Sequence, residues 1–399
     1  MRQTYDQDRT EGGRYVIVGA GAAGVAAAEQ IRRLDADASI VMIGEERALP
    51  YHRPMLSRSL ILPGVGERFA IYPPEWYSRR GIFLLLGHRV TRLLPRAKQI
   101  ELGEGTVLSY DKCILATGRE SVLPPLEGVT LSGVFTLRTR EDLERLARYL
   151  RPDMRAVVIG GGPLGLESAW QLFLGGCHVT VLEAEELLLG GWVSGRVSQR
   201  LIRLAADRGV EIRTNVRVKR LVGEAGDGIE QVILPGEYLK ADLVVLCCGS
   251  RPRVELAREA GLEVDRGISV NSRMMTEKYG IYACGGCAEL GRELCSSVVM
   301  AQDMGRCAGQ NAAGEDTMYR PAPARLSLEA FGTRLFAVGD CGGEEDGVTV
   351  EEYVCDADGS ERYLYRRSGR LCGAVLLGNT DGAEELAEMV LPTGGIVCL

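Results

Sequence analysis

Tyr15-Val16-Ile17-Val18-Gly19-Ala20-Gly21-Ala22-Ala23-Gly24 and its echo 141 residues later, Ala156-Val157-Val158-Ile159-Gly160-Gly161-Gly162-Pro163-Leu164-Gly165, decide how this chain folds. Each is a short apolar run, then glycines at the spacing of a dinucleotide-binding turn, then a helix-compatible stretch. The first glycine of such a turn permits a tight passage from strand to helix. The second lets the backbone approach a pyrophosphate, and the third lets the helix pack close to the sheet. The phosphates then rest on unpaired N–H groups at the helix N-terminus. One match alone is weak evidence. Two, each in strand–turn–helix context, imply a protein that holds two dinucleotides and passes electrons between them.

Reading outward from the turns reveals a duplication. Ala22 to Leu34 reads as a helix and Ser39 to Ile43 as the next buried strand, followed by short strand pieces at Arg89 to Leu93, Lys98 to Leu102 and Thr106 to Leu108. In the second half the helix is Pro163 to Leu174, the strand His178 to Leu182, and Val216 to Leu239 holds further strand pieces. Asp111 and Asp242 precede matching apolar strands that end in Gly118 and Gly249. An internal repeat of a whole domain plan follows, and strands alternating with helices imply parallel sheets with βαβ crossovers. From about Tyr319 the texture changes. Phe331 to Val338, Val348 to Val354, Arg362 to Arg366 and Leu371 to Leu377 read as strands between Gly- and Asp-rich turns, and Ala383 to Val390 as a closing helix. The expected fold is α/β: two Rossmann-like dinucleotide-binding domains with β-meander insertions, plus a small α+β C-terminal domain.

Bulk properties narrow the class. The chain has 399 residues, 46% of them hydrophobic and 25% charged, enough for two or three globular domains. A net charge of −7 gives no basic footprint for nucleic acid. Met1 to Gly13 is polar and lacks the apolar core of a signal peptide, so a frayed tail is expected there. No apolar run reaches the roughly 18 residues of a membrane span, which makes the cytoplasm the expected location.

The carboxylates that follow the second strand of each unit bear on nucleotide identity. Glu183 stands where the adenosine ribose hydroxyls should lie, and a carboxylate there accepts from a 2′-OH but repels a 2′-phosphate. With Glu185 and Glu186 close behind and no arginine among them, NADH is favoured over NADPH. In the first unit Glu45 and Glu46 are both candidates for the ribose role.

The order of motifs resembles the two-dinucleotide-binding-domain flavoproteins of the pyridine nucleotide-disulfide oxidoreductase-like superfamily. Leu49 to Arg58, with Arg53, Pro54 and Arg58, is similar to the flavin-side segment of its rubredoxin, ferredoxin and nitrite reductase flavin branches. Ala116-Thr117-Gly118-Arg119, the turn Gly160, Gly162, Pro163, Leu164, Gly165 with Glu167, and Ile281 to Glu289, with Gly285, Gly286 and Cys287, resemble further motifs. The resemblance implies FAD bound by residues 14–122 and 247–319, NADH by 123–246, and a C-terminal α+β domain over 320–399. It implies that Arg53, Pro54 and Arg58 line the isoalloxazine and that Arg58 pairs with Glu167 near the hydride path, the candidate catalytic pair; the competing reading of Arg58 is a charge on a surface loop.

Two departures from that pattern are informative. Gly286 stands where the pattern has an aspartate that holds the flavin ribityl chain; Ala337-Val338-Gly339-Asp340-Cys341 imitates the motif but lacks the helix that should follow. Second, Tyr51 to Leu62 contains no cysteine, so the redox thiols that related disulfide reductases, peroxidases and oxidases carry beside the flavin are missing. Electrons would then pass directly from flavin to a small carrier protein, rubredoxin- or ferredoxin-like. Cys284, Cys287, Cys295 and Cys307 leave open a redox pair or a metal site, against plain structural thiols, and no histidine completes a familiar zinc spacing. The rival activities are an NADH oxidase or disulfide reductase using Cys284 and Cys287, and a non-catalytic redox sensor or electron-transfer subunit. The C-terminal domain is also a candidate surface for a homodimer.

Overall fold

A computed structural model describes residues 12–62, 69–223, 228–342 and 347–390, so the tail expected at the N-terminus lies, up to residue 11, outside the described residues. The first glycine turn joins the strand Arg14–Val18 to the helix Ala22–Leu34, and the second joins Arg155–Ile159 to Pro163–Leu174. Both helices and the strand His178–Leu182 have the bounds read from sequence.

Each turn belongs to a five-stranded parallel sheet with the same plan. The first runs Ile281–Ala283, Lys112–Leu115, Arg14–Val18, Ser39–Gly44, Ile82–Leu86. The second runs Val134–Thr136, Leu243–Leu246, Arg155–Ile159, His178–Leu182, Glu211–Arg213. A three-stranded antiparallel meander accompanies each, Val90–Leu94 with Gln99–Leu102 and Val107–Ser109, and Arg220–Val222 with Gln231–Ile233 and Tyr238–Lys240. The duplication extends to the ion pair at the entry of each central strand. Arg14 donates through its backbone N, Nε and Nη2 to Asp111, and Arg155 does the same to Asp242. Both pairs are half exposed, so they fix register more than they add stability.

The first sheet is finished only when the chain comes back to it. The chain leaves through Arg119–Ser121 and returns through Ser250–Pro252, which pair antiparallel, and the last strand of the first sheet, Ile281–Ala283, comes after that return. The returning chain also supplies the helix Val298–Ala312, whose Gly305 and Gly309 lie flush on the helix of the first turn: a Cβ at either would meet Ala23 O at 2.2 Å or Ala27 O at 2.4 Å.

The C-terminal region is a five-stranded antiparallel sheet, Arg325–Ala330, Thr333–Gly339, Arg370–Leu377, Glu361–Arg367, Val348–Val354, backed by the helix Ala383–Met389. One expectation is corrected here. Phe331 does not open a strand: with φ +55° it forms the hairpin corner with Gly332, and the strand begins at Thr333. Leu326, Leu328 and Phe331 share one hydrophobic core with Leu166, Ala169 and Leu172 of the second turn's helix and with Leu56 and Leu60 of the first unit. All three regions therefore meet in one core. Among the described residues no helix is long and apolar enough to cross a membrane.

Candidate active site

The two turns have nearly identical backbones. Gly19 takes φ +119° and Gly160 φ +116°, and a Cβ on them would lie 2.0 Å from Ala116 O and 2.3 Å from Cys247 O. A Cβ on Gly24 would come within 2.2 Å of Gly19 O, and one on Gly165 within 1.9 Å of Gly160 O, whereas Gly21 and Gly162 face open space. Space above the middle glycine is what an approaching pyrophosphate requires. Neither helix has a side-chain N-cap or an acidic residue in its first turn, so no side chain of the helix occupies its leading N–H groups.

Around the second turn the notable group is a carboxylate. Glu183 directly follows the strand His178–Leu182; it accepts from Gly161 N at 2.6 Å and Glu185 N at 2.9 Å, which pins it at the lip of the turn. The first unit differs. Gly19 N donates to Ile43 O as Gly160 N donates to Leu182 O, so the register partner of Glu183 is Gly44, and Glu45 follows one residue later. Glu45 pairs with Arg253 at 2.7 Å and Arg89 at 3.4 Å. Glu46 is engaged within the protein, accepting from Tyr51 Oη at 2.7 Å, Arg53 at 2.8 Å and Arg140 N at 3.2 Å. Burial alone would raise the Glu46 carboxyl, but the Arg53 guanidinium and these hydrogen bonds outweigh it and hold it below its usual range.

Beside the first turn the notable groups are guanidiniums. Arg53 turns inward to Glu46 and to Arg138 O, while Arg119 donates to Ser250 Oγ at 2.9 Å and Ser250 O at 2.5 Å. Arg138, which the sequence reading missed, lies between them and donates through Nε to Arg119 O at 3.2 Å. Its backbone is fixed by a capping box at the helix Arg140–Tyr149, where Asp142 accepts from both Arg138 N and Thr139 N at 2.9 Å. Burial, and then the neighbouring charges of Arg53, Arg119 and Arg253, push the Arg138 guanidinium down to about 10. A buried cluster of like charges is unfavourable without an anion. The open turn, the uncapped helix and this cluster together fit the diphosphate of FAD.

The predicted pair of Arg58 and Glu167 is present. Glu167, on the second turn's helix and only 4% exposed, accepts from Arg58 Nε at 2.9 Å, Ser57 Oγ at 2.5 Å and Glu329 N at 3.2 Å. Arg58 also donates to Ser327 O at 3.1 Å. The carboxylate thus ties the loop of the first unit, the helix of the second and the C-terminal sheet together at one point. Arg58 is a partner of a buried carboxylate rather than a loose surface charge. Ser57 and the backbone of Ser327 and Glu329 were not read from sequence; Ser57 is adjacent to a motif residue, but the strand Arg325–Ala330 carries only an alternation of apolar residues to betray it.

The remaining predicted residues fall around these groups. Pro54 is exposed on the loop; Ala22 and Ala23 begin the first helix; Leu164 is half-buried in the second; Gly249 is exposed with φ +91°. Thr117 donates to Arg253 O at 2.8 Å, and Gly118 takes φ +74°. Gly285 packs on Ala23, where an added Cβ would lie 2.7 Å from the alanine Cβ. Cys287 is fully buried, donating to Leu115 O and Cys284 O at 3.4 Å, and presents no surface. Burial raises the thiols of Cys284 and Cys287, and those of Cys295 and Cys307 to about 11. Such protonated, enclosed sulfurs are poor nucleophiles. Asp340 follows a strand and pairs with Arg367 at 2.9 Å, and the next element among the described residues is the strand Val348–Val354 rather than a helix.

Residues 13–305 match the family model described as pyridine nucleotide-disulphide oxidoreductase. The chain is 33% identical over 333 residues to the ferredoxin–NAD(+) reductase subunit of a benzene 1,2-dioxygenase system from Pseudomonas putida, with 82% of this chain and 80% of that one covered. Among solved structures, it resembles a ferredoxin reductase from Rhodopseudomonas palustris with a TM-score of 0.87 at 27% identity, covering 95% of this chain and 96% of that one. It also resembles the covalent putidaredoxin reductase–putidaredoxin complex, with a TM-score of 0.85 at 29% identity and coverage of 96% and 94%. With both turns, the paired sheets and these likenesses together, the chain belongs to the pyridine nucleotide-disulphide oxidoreductase family and is an FAD-dependent NAD(P)H oxidoreductase.

Proposed function

We propose that this chain takes a hydride from NADH onto FAD and delivers the electrons directly to a small carrier protein of the ferredoxin or rubredoxin kind, in the cytoplasm. The observation that carries this reading is the loop Tyr51 to Leu62. It reaches Glu167 through Ser57 and Arg58, yet contains no thiol. A relay through cysteine on that face is therefore missing. When bound, FAD supplies hydride acceptance and electron release in one- or two-electron steps.

The chain's own residues do the rest. The turn Gly19, Gly21, Gly24 receives the FAD diphosphate, and Arg138, with Arg53 buttressed by Glu46, supplies positive charge beside it. The turn Gly160, Gly162, Gly165 receives the diphosphate of NADH, and Glu183 accepts from its ribose hydroxyls. Arg58 and Glu167 act as a positioning pair, locking the loop to the NADH-side helix so that both nucleotides meet at a fixed separation. We place the domain limits at 122/123, 246/247 and 319/320, the first two flanking the paired crossover strands. Purified protein is expected to be yellow, to bleach anaerobically faster with NADH than with NADPH, and to reduce ferredoxin or rubredoxin in steady turnover. A colourless protein that FAD cannot reconstitute would contradict this reading.

A further inference from the structure

Gly286 and Arg119 occupy one place. Both follow neighbouring strands at the C-terminal edge of the first sheet, Ile281–Ala283 and Lys112–Leu115, where a dinucleotide lies in such folds. A Cβ on Gly286 would stand 2.6 Å from Arg119 Cγ and 3.1 Å from its Cδ. That contact is with the stem of the arginine rather than its tip, so swinging the guanidinium would not relieve it. Any residue larger than glycine at 286 and the present Arg119 path exclude each other.

The charges around them are unequal. Glu46 is matched by Arg53, Glu45 by Arg253 and Arg89, and Glu120 by Arg251 at 2.6 Å. Arg119 and Arg138 have no carboxylate partner among the described residues; their contacts are the carbonyl and hydroxyl of Ser250 and the Arg119 carbonyl. Two guanidiniums thus remain without a carboxylate, one of them carried on the stem that lies against Gly286. A dinucleotide diphosphate carries one negative charge on each phosphate, which is the missing balance.

We propose that Arg119 is a cofactor-anchoring residue: Gly286 leaves room for its side chain, and its guanidinium, together with Arg138, binds the FAD diphosphate in place of the hydrogen bond that a carboxylate at 286 would make. The proposal rests on the reading of the first turn as the FAD site. It exchanges a hydrogen bond between a carboxylate and a neutral hydroxyl for a contact between opposite charges, the more salt-sensitive kind.

The test is titration of apoprotein with FAD, followed by flavin fluorescence quenching, at about 0.05 and 0.5 M salt. Arg119→Ala should weaken FAD binding about ten- to a hundredfold, as loss of a charge-assisted contact does, and flatten the salt dependence. Arg119→Lys should keep most of the wild-type salt dependence. Gly286→Asp alone should bind FAD poorly, and the double variant R119A/G286D should bind more tightly than G286D. Melting of each apoprotein by circular dichroism reports folding separately, and if R119A does not fold, R119K and the double variant decide. Unchanged affinity and salt dependence in R119A, or G286D binding as tightly as wild type, or equal loss in R119A and R119K, would overturn the proposal. Failure of the wild-type apoprotein itself to bind FAD would instead overturn the functional reading beneath it.

Discussion

On the side of the first glycine turn Arg53, Arg119 and Arg253 cluster around Arg138, and Arg119 and Arg138 have no carboxylate partner among the described residues; at the second turn one carboxylate, Glu183, closes the lip. The backbones beneath are the same: matched φ at Gly19 and Gly160, the same strand order, and the same arginine–aspartate clasp at the first strand. What separates the two sites is decoration. A cofactor that stays through every turnover gains from fixed opposite charge. A nucleotide that must leave each cycle is better recognised by a hydroxyl-specific acceptor, which selects without gripping the phosphates hard. On the proposed reading this difference in charge favours FAD at the first turn and NADH at the second, independently of the order of the motifs.

The largest effects should come from blocking one turn at a time. Gly24→Val should give a colourless protein, because its Cβ would enter the space of Gly19 O. Gly165→Val should remain yellow but fail to bleach with NADH, because the collision is confined to the second turn. If both variants lost colour, the turns would not be separate sites; absorbance of the purified proteins with and without NADH decides it.

Next is the joint between them. Arg58→Ala leaves Glu167 buried with only Ser57 and a backbone N–H. Losing one partner of a buried pair costs about 3–5 kcal/mol, and the partial exposure of Arg58 lowers this to roughly 2 kcal/mol. The urea midpoint should fall accordingly, and anaerobic bleaching by NADH should slow about tenfold through lost positioning. Stopped-flow reduction measures the second effect, and an unchanged rate would remove Arg58 from the hydride path. Replacing Glu183 by Ala should then raise the KM for NADH by about tenfold with little change in kcat, the loss of about one charged hydrogen bond. An unaltered preference for NADH over NADPH would assign specificity elsewhere.

The smallest effect concerns Glu46. Its folded carboxyl lies below its usual range, so its stabilisation is present above the unfolded value of about 4.3 and is lost as pH falls through the lower folded value. Urea midpoints should therefore decline below about pH 4, and Glu46→Gln should flatten that decline by under about 1 kcal/mol. An identical acid profile in the variant would show that Glu46 is not the group responsible.

Much of this was legible in the sequence because it is local. Gly19 to Gly24 and Gly160 to Gly165 encode their turns within six residues, and the helices that follow carry their own periodicity. Arg138 was not legible. Its backbone is set by a local capping box, but its meaning depends on Arg53 and Arg119, which lie 85 and 19 residues away in the chain. The contacts of Ser327 and Glu329 with Arg58 and Glu167 are likewise purely tertiary. Phe331 shows the opposite failure: a large apolar residue reads as strand, yet the hairpin needs it at a left-handed corner.

On the proposed path no thiol stands between flavin and acceptor. Anaerobic titration of the FAD-loaded protein with NADH, in wild type and in the C284S/C287S double variant, tests it most directly. Full bleaching with one NADH per FAD is expected in both proteins, with equal rates of carrier reduction afterwards. A requirement for a second NADH in wild type that disappears in the variant, with loss of carrier reduction, would place a dithiol on the electron path and contradict it.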